Sequence, residues 1–210
     1  MGPASLYLGI RITRDRARRK LWLSQKSYCI DLLHDWNLSN CTVAMTPMIL
    51  KPYLVDPCAT SLPEVCDDDV KPLFQKLVGS LIYLAICTCP DISYAAMSLG
   101  QFNANPTRGH LLAAKHVLRY LAGTLELVLE FNFDGGAVPV TIGGFTRNCA
   151  VSDADWAFDE SDRRSISGHC FYFLNSLVSW SATKQKLISL SSMEAEYYSM
   201  THALKEALWV

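Results

Sequence analysis

The hydrophobic pattern of this chain changes its period along the sequence, and that change limits the folds that it can adopt. Between Pro72 and Gly123, apolar residues recur every three to four positions, which predicts a series of helices. After Thr141 they alternate in short runs, which predicts strands, and a further helical segment follows. Helices and strands that are segregated in this way predict an α+β fold.

Three segments of the helical block carry the helices: "LFQKLVGSLIYLA", "DISYAAMSLGQFNA" and "RGHLLAAKHVLRYLAGT". Asp91 after Pro90 begins the second helix, and Gly123 ends the third. In the third helix, Lys115 and Arg119 lie four residues apart on one face. They form either a pair that faces phosphates or a solvated face, and spacing alone favours the solvated face.

The first part of the chain predicts a hairpin and a helix. Leu6–Thr13 and the segment "KLWLSQ" have the composition of strands, and Ser24 is placed to cap the helix "QKSYCIDLLHDWN". Five cations lie in the turn of this hairpin: Arg14, Arg16, Arg18, Arg19 and Lys20. From Asn37 to about Val70, prolines predict a linker or long loop, in which the acidic run Cys66–Asp69 is expected to be solvated.

The last part of the chain predicts three strands and a helix. The strands are "FTRNCAVSD", ending at Asp153, "SISGHCFYFL" and "LVSWSA", and the helix begins at Ser191. Ser191 and Glu194 have the spacing of a capping box, so that Glu194 is expected to be structural. The order β-β-β-α predicts an antiparallel sheet with the helix packed on it.

Glu196 is the candidate functional residue of this last helix. It falls on a stripe at helical spacing that is expected to face the sheet: Met193, Glu196, Met200, Ala203 and Ala207. A carboxylate buried there needs a partner or a cation, and Asp153 at the end of the first strand is the natural neighbour. Such a pair suits Mg²⁺ or Mn²⁺. The alternative is a buried acid paired with Lys184, Lys186 or Arg163.

Composition excludes several classes of protein. Half of the 210 residues are hydrophobic, which indicates a globular chain, and the net charge of −1 leaves nucleic-acid contact to local patches. The eight cysteines contain no CxxC pair, so no zinc module is indicated and reduced thiols in an intracellular protein are expected. The longest strongly apolar run, Leu77–Cys87, is too short to span a bilayer.

The chain resembles the polyproteins of copia-type LTR retrotransposons. The motifs that carry the resemblance occur in the family's order and include "YLGIRI", "LSQKSYCIDLL", "FQKLVGSLIYLA", "CPDISYAA", "SDADWAFDESDRRSISG" and "SWSATKQKLISLSSMEAEYYSM". The resemblance covers nearly the whole chain. It implies the end of a reverse transcriptase palm and its thumb over residues 1–70, a helical connection over 71–140, and a truncated ribonuclease H-like β-β-β-α unit over 141–210.

The same resemblance assigns roles to residues. Asp153 in "SDADWA" matches the first metal-binding aspartate of ribonuclease H, and Glu196 in "EAEY" matches the glutamate on its first helix. The family implies Mg²⁺ or Mn²⁺, an RNA/DNA hybrid as ligand, and the remainder of a Pol polyprotein as partner. Besides the five hairpin cations, the nucleic-acid-binding candidates are Lys115, Arg119, Arg163 and Arg164. No membrane is implied, and the expected location is cytoplasmic or nuclear.

Departures from the family pattern bear on activity. The polymerase signature, an aromatic residue followed by x-Asp-Asp, is expected before "YLGIRI" and is absent, and no third ribonuclease H aspartate follows the last helix. Cys89 and Phe158 stand where the family usually has arginine and glycine. The chain is therefore expected to be a fragment of an enzyme for RNA-directed DNA synthesis and hybrid cleavage, inactive by itself. The alternatives are a non-catalytic nucleic-acid-binding remnant and a pseudogene product.

Overall fold

A computed structural model describes residues 2–48, 70–133, 148–157, 162–174 and 176–209. The fold is mixed α and β with antiparallel sheets, as the segregated sequence pattern predicts. In chain order the elements are β1 (Leu6–Tyr7), β2 (Ile10–Asp15), β3 (Lys20–Ser24), α1 (Lys26–Asp35), α2 (Val70–Cys87), α3 (Ser93–Gly100), α4 (Arg108–Gly123), β4 (Leu129–Asn132), β5 (Asn148–Asp155), β6 (Ile166–Phe173), β7 (Ser176–Lys184) and α5 (Ser192–Trp209).

The chain forms two compact units. The first comprises Met1–Tyr7, Arg11–Leu23 and Leu129–Val210, and the second comprises Leu8–Ile10 and Ser24–Val128. The boundaries of these units differ from the predicted domain boundaries at residues 70 and 140. The predicted division stays a prediction. Most of the proline-rich segment, including Cys66–Asp69, lies outside the described residues, as does Phe158.

The second unit has a core built on α2. Phe74, Leu77, Leu81 and Leu84 recur at helical spacing and are fully buried. The other helices pack their own apolar residues on this stripe, among them Leu32, Ile92, Leu99 and Leu118. The three helices of the central block are thus confirmed. The prediction that the second begins at Asp91 is wrong, because a 3₁₀ turn occupies Pro90–Ile92 and α3 begins at Ser93, and α3 ends earlier than predicted, at Gly100.

Helix α2 is also longer than the apolar run recognised in the sequence. Its 18 residues have a mean hydropathy of 1.4, so by length and composition alone it is capable of crossing a membrane. A core helix of a globular unit meets the same criteria, and the buried stripe from Phe74 to Leu84 is the ordinary reason for such a composition. The absence of membrane association stays a prediction.

The first sheet has the strand order β1-β2-β3-β4. The predicted hairpin is confirmed as β2 and β3, but the prediction of one strand over Leu6–Thr13 is wrong. Leu8 and Gly9 both have positive φ, 46° and 76°, and this backbone makes a tight turn between β1 and β2. Strand β4 pairs antiparallel to β3, with Lys20 opposite Asn132 and Leu23 opposite Leu129.

Helix α1 begins one residue later than the predicted cap implies. Gln25 is the N-cap and makes no side-chain cap bond, whereas the Oγ of Ser24 accepts a hydrogen bond from the backbone N–H of Lys26 at 3.2 Å. Ser24 therefore satisfies an orphan donor at the helix start, from one position further out.

The second sheet confirms the β-β-β-α prediction. Its strand order is β5-β6-β7, both pairs are antiparallel, and α5 packs against β5 and β6. Asp153 lies opposite Gly168, and Gly168 lies opposite Ala182. Strand β5 does not end at Asp153 as predicted, because pairing continues to Asp155 opposite Ile166.

The start of α5 has one of the two predicted capping bonds, and the second goes to a different residue. The Oγ of Ser191 accepts from the backbone N–H of Glu194 at 3.2 Å, and Oε2 of Glu194 accepts from the backbone N–H of Leu190 at 2.7 Å. Glu194 thus reaches one residue beyond the usual partner of a capping box. Its structural role is confirmed.

The buried face of α5 differs from the predicted stripe. Ala195, Ser199 and Ala203, four residues apart, are buried, whereas Met193 and Met200 are exposed. Small side chains let the helix axis approach the sheet closely, and large ones at these positions would hold it away. The prediction that Glu196 lies on the buried stripe is therefore wrong, since its side chain is exposed.

Candidate nucleic-acid interface

The end of β2, the turn to β3 and the residue after β4 form a cationic groove, which we call the hairpin groove. Its volume is about 600 Å³, and it is lined by Arg14, Arg16, Arg19, Lys20 and Phe133. Four of the five predicted hairpin cations therefore line one groove. The fifth, Arg18, instead forms an exposed ion pair with Asp15, with its Nε 3.7 Å from Oδ2.

One acidic residue next to the groove fixes Lys20. The Nζ of Lys20 donates to Oε1 of Glu130 at 2.7 Å, and Nε1 of Trp22 donates to Oε2 of the same carboxylate at 2.7 Å. The bond from Lys20, and then the bond from Trp22, lower the pKa of Glu130 below its ordinary value. Glu130 therefore offsets the charge of Lys20, while the exposed side chains of Arg14 and Arg16 leave the groove cationic.

Phe133 is a groove residue that the sequence did not single out. It follows β4, and its backbone N–H donates to the carbonyl of Arg19 at 2.9 Å, which continues the pairing of β3 with β4. Its side chain is 55% exposed. The signal available in the sequence was its position, because Phe133 is an aromatic residue at the very end of the predicted strand segment "LELVLEFNF".

The cations of α4 have partners within their own unit. The Nζ of Lys115 lies 5.6 Å from the centroid of the Trp36 ring, which is within cation–π distance. The Nε of Arg119 donates to the carbonyl of Thr42 at 2.7 Å, and the carbonyl of Arg119 accepts from the N–H of Ala44 at 3.1 Å. These contacts support a structural role, and phosphate binding by this pair stays a prediction.

Arg163 and Arg164 lie beside an acidic residue in the turn before β6. Oδ2 of Asp162 lies 3.6 Å from Nε of Arg164 and 2.9 Å from Nζ of Lys184. Lys184 is thus paired with Asp162, and the alternative of a buried Glu196 neutralised by Lys184, Lys186 or Arg163 is wrong, since Glu196 is not buried. Arg163 is exposed, with a positive φ of 56°.

The two predicted catalytic residues, Asp153 and Glu196, lie near one contact between α5 and its sheet. The Oγ of Ser199 donates to the carbonyl of Asp153 at 2.7 Å and lies 3.3 Å from the carbonyl of Gly168. Glu196 precedes Ser199 by three residues, which places it about 60° around the helix on the flank of the buried face. Both carboxylate side chains are exposed. The assignment of Asp153 and Glu196 stays a prediction, with this shared contact in its favour.

The alternation of side chains across the sheet argues against direct contact between the carboxylates of Asp153 and Glu196. Nε2 of Gln185 donates to Oγ of Ser167 at 2.9 Å and to the carbonyl of Ala195 at 3.0 Å, so the Ser167 side chain faces α5. Neighbouring strand residues point to opposite faces, and Asp153 shares its row with Gly168. The Asp153 side chain therefore starts on the face away from α5.

The described residues do not build a metal site. In the described part of the chain, no group of three or more His, Cys, Asp or Glu side chains is arranged to hold a metal ion. Two exposed carboxylates that start from different faces do not supply the oxygen cage that Mg²⁺ requires. The described residues therefore supply no complete set of ligands, and the assignment of Mg²⁺ or Mn²⁺ stays a prediction.

Comparison with known proteins gives related sequences along the whole chain. The retrovirus-related Pol polyprotein from transposon TNT 1-94 of Nicotiana tabacum is 37% identical over 210 residues, which is 100% of this chain and 15% of that protein. The retrovirus-related Pol polyprotein from transposon RE1 of Arabidopsis thaliana is 38% identical over 205 residues, which is 98% of this chain and 13% of that protein. The chain thus spans about 15% of the length of such relatives.

A shorter relative has a different description. The secreted RxLR effector protein 161 of Plasmopara viticola is 41% identical over 137 residues, which is 65% of this chain and 90% of that protein. No protein-family model matches the chain. No solved structure matches it either.

Proposed function

Because the chain belongs to the copia-type family of retrovirus-related Pol polyproteins, we propose that it is a nucleic-acid-binding part of a reverse transcriptase/ribonuclease H. The ancestral function is RNA-directed DNA synthesis coupled to metal-dependent cleavage of the RNA strand in an RNA/DNA hybrid. The chain itself binds such a hybrid and completes neither active site. The remainder of a Pol polyprotein would supply what is missing.

The hairpin groove is the observation that carries this proposal. Three exposed arginines and one lysine line a single concave surface, although the chain as a whole has a net charge of −1. Cations that are concentrated in this way attract a phosphate backbone, because each neutralised phosphate releases condensed counterions. A solvated basic turn would carry the same residues without gathering them around a groove.

Catalysis is assigned to the family and not to this chain. Mg²⁺ or Mn²⁺ is expected in an intact relative, where two ions would stabilise the attacking and leaving oxygens of a phosphodiester. Here Asp153 and Glu196 alone do not fix such ions. The name of the Plasmopara relative describes that protein, and no feature of the described residues supports an effector role for this one.

The test is the affinity of the purified chain for a labelled RNA/DNA hybrid at a series of salt concentrations. We expect binding that weakens steeply with salt, with a slope that reports at least two phosphate contacts, those of Arg14 and Arg16. Arg14→Gln and Arg16→Gln together should reduce the slope by about two contacts. Lys71→Gln and Arg108→Gln, exposed cations outside the groove, form the matched control and should leave the slope unchanged.

Two results would contradict the proposal. Absence of hybrid binding at low salt would favour a pseudogene product without activity. Binding whose salt slope is insensitive to the arginine substitutions would place the interface elsewhere, and the α4 cations Lys115 and Arg119 would be the next candidates.

A further inference from the structure

We propose that the hairpin groove binds unpaired nucleotides, with a base stacked on the Phe133 ring and the flanking phosphates held by Arg14 and Arg16. This inference rests on the proposed nucleic-acid binding and extends it: phosphate contacts hold a hybrid or a single strand, and stacking adds affinity where the bases are unpaired. It assigns a role to Phe133, which none of the catalytic or basic motifs includes.

The position of the ring is fixed by the backbone of two paired strands. The N–H of Phe133 donates to the carbonyl of Arg19 at 2.9 Å, directly after the pair formed by Lys20 and Asn132. Lys20 is held in turn by Glu130 at 2.7 Å. Arg14 and Lys20 therefore lie on paired strands, Arg16 and Arg19 lie in the turn that joins them, and a backbone hydrogen bond holds Phe133 beside that turn.

The exposure of the ring is the second observation. Phe133 is 55% exposed although it borders a groove that four cationic side chains also line. Because the phenyl ring is exposed, the apolar area that it buries within its own unit contributes little to the stability of the fold. The same combination of an aromatic platform and cations that follow a backbone is the common device of proteins that bind single strands without sequence preference.

Stacking distinguishes a single strand from a duplex. In a duplex both faces of each base are covered by neighbouring bases, so an aromatic side chain cannot reach them without unstacking. In a single strand the faces are accessible, and one stacked base raises affinity by about tenfold. The groove volume of about 600 Å³ lies within the usual range of sites for small ligands, so a single nucleotide unit is a suitable occupant.

The experiment measures binding of the full chain to three labelled probes of equal length by fluorescence anisotropy. The probes are an oligothymidine strand, an abasic strand with the same number of phosphates, and an RNA/DNA hybrid duplex. The variants are Phe133→Ala and the conservative Phe133→Trp. Phe173→Ala is the matched control, since Phe173 is 45% exposed at the end of β6 and does not line the groove. Circular dichroism and thermal unfolding establish that each variant folds.

We expect wild type to bind oligothymidine more tightly than the duplex. Phe133→Ala should weaken oligothymidine binding by about tenfold and leave the abasic strand unchanged. Phe133→Trp should restore the affinity, and Phe173→Ala should not change it. Equal losses on the oligothymidine and abasic strands would show that the ring acts only through the shape of the groove, and would overturn the inference.

Failure of the inference is distinguishable from failure of the proposed function. If wild type binds the probes but Phe133→Ala binds oligothymidine as tightly as wild type, phosphate binding stands and base stacking is refuted. If wild type binds none of the three probes at low salt, both are refuted.

Discussion

Replacement of Gln185 by alanine should weaken the attachment of α5 to its sheet. The Gln185 side chain is buried, with an exposure of 2%, and it joins three parts of the first unit. Its Nε2 donates to Oγ of Ser167 on β6 at 2.9 Å and to the carbonyl of Ala195 on α5 at 3.0 Å. Its Oε1 accepts from Oγ of Ser189 at 3.0 Å.

The magnitude follows from these three bonds. Alanine removes all of them and leaves the carbonyl of Ala195 and two serine hydroxyls without this partner in a buried region. Each hydrogen bond contributes about 0.5–1.5 kcal/mol, so the free energy of unfolding of this unit should fall by about 2–4 kcal/mol. The local stability of α5, the helix that carries Glu196, should fall the most.

Urea unfolding followed by tryptophan fluorescence measures this change. Trp156 is a direct reporter, because its Nε1 donates to the carbonyl of Ser189 at 3.1 Å. Gln101→Ala is the matched control, since Gln101 is exposed and its Nε2 donates to the Sδ of Met97 at 3.4 Å, at the surface of the other unit. A decrease in the free energy of unfolding of less than about 0.5 kcal/mol for Gln185→Ala would contradict this prediction, because it would show that water replaces the three hydrogen bonds at little cost.

Two further predictions concern catalysis and pH. The purified chain should neither cleave RNA/DNA hybrids nor extend a primer in magnesium or manganese, because Asp153 and Glu196 alone do not fix two ions; cleavage that disappears in Asp153→Asn would contradict this. The bonds from Lys20 and Trp22 lower the pKa of Glu130, so their contribution to stability should be present above its ordinary value of 4.5 and be lost as the pH falls through the lower folded value. The indole N–H resonance of Trp22 should therefore shift with a midpoint below 4.5, and Glu130→Gln should abolish the shift.

Periodicity predicted the helices and most strands because their apolar residues pack on one face. It failed at Leu8 and Gly9, where a tight turn interrupts an apolar run whose composition is that of one strand. The turn depends on positive φ at both residues, and leucine gives no indication of this. Glycine at the second position was the available signal.

The candidate site was only partly predictable for a related reason. The stripe on α5 was assigned from its large residues, whereas Ala195, Ser199 and Ala203 make the contact. Ser199 bonds to strand carbonyls, which no hydrophobic pattern reports. The cations of the hairpin were found because a basic run is local in sequence. Glu130 and Phe133 were missed because they reach the groove through pairing with a strand more than a hundred residues away.

Amide hydrogen exchange of the full chain, with and without a bound RNA/DNA hybrid, locates the nucleic-acid interface. If the hairpin groove binds the hybrid, exchange should slow in the turn between β2 and β3 and at the end of β4, and α4 should exchange as in the free chain. Protection confined to α4 around Lys115 and Arg119, or no protection at any amide under saturating hybrid, would contradict the claim that the hairpin groove binds nucleic acid.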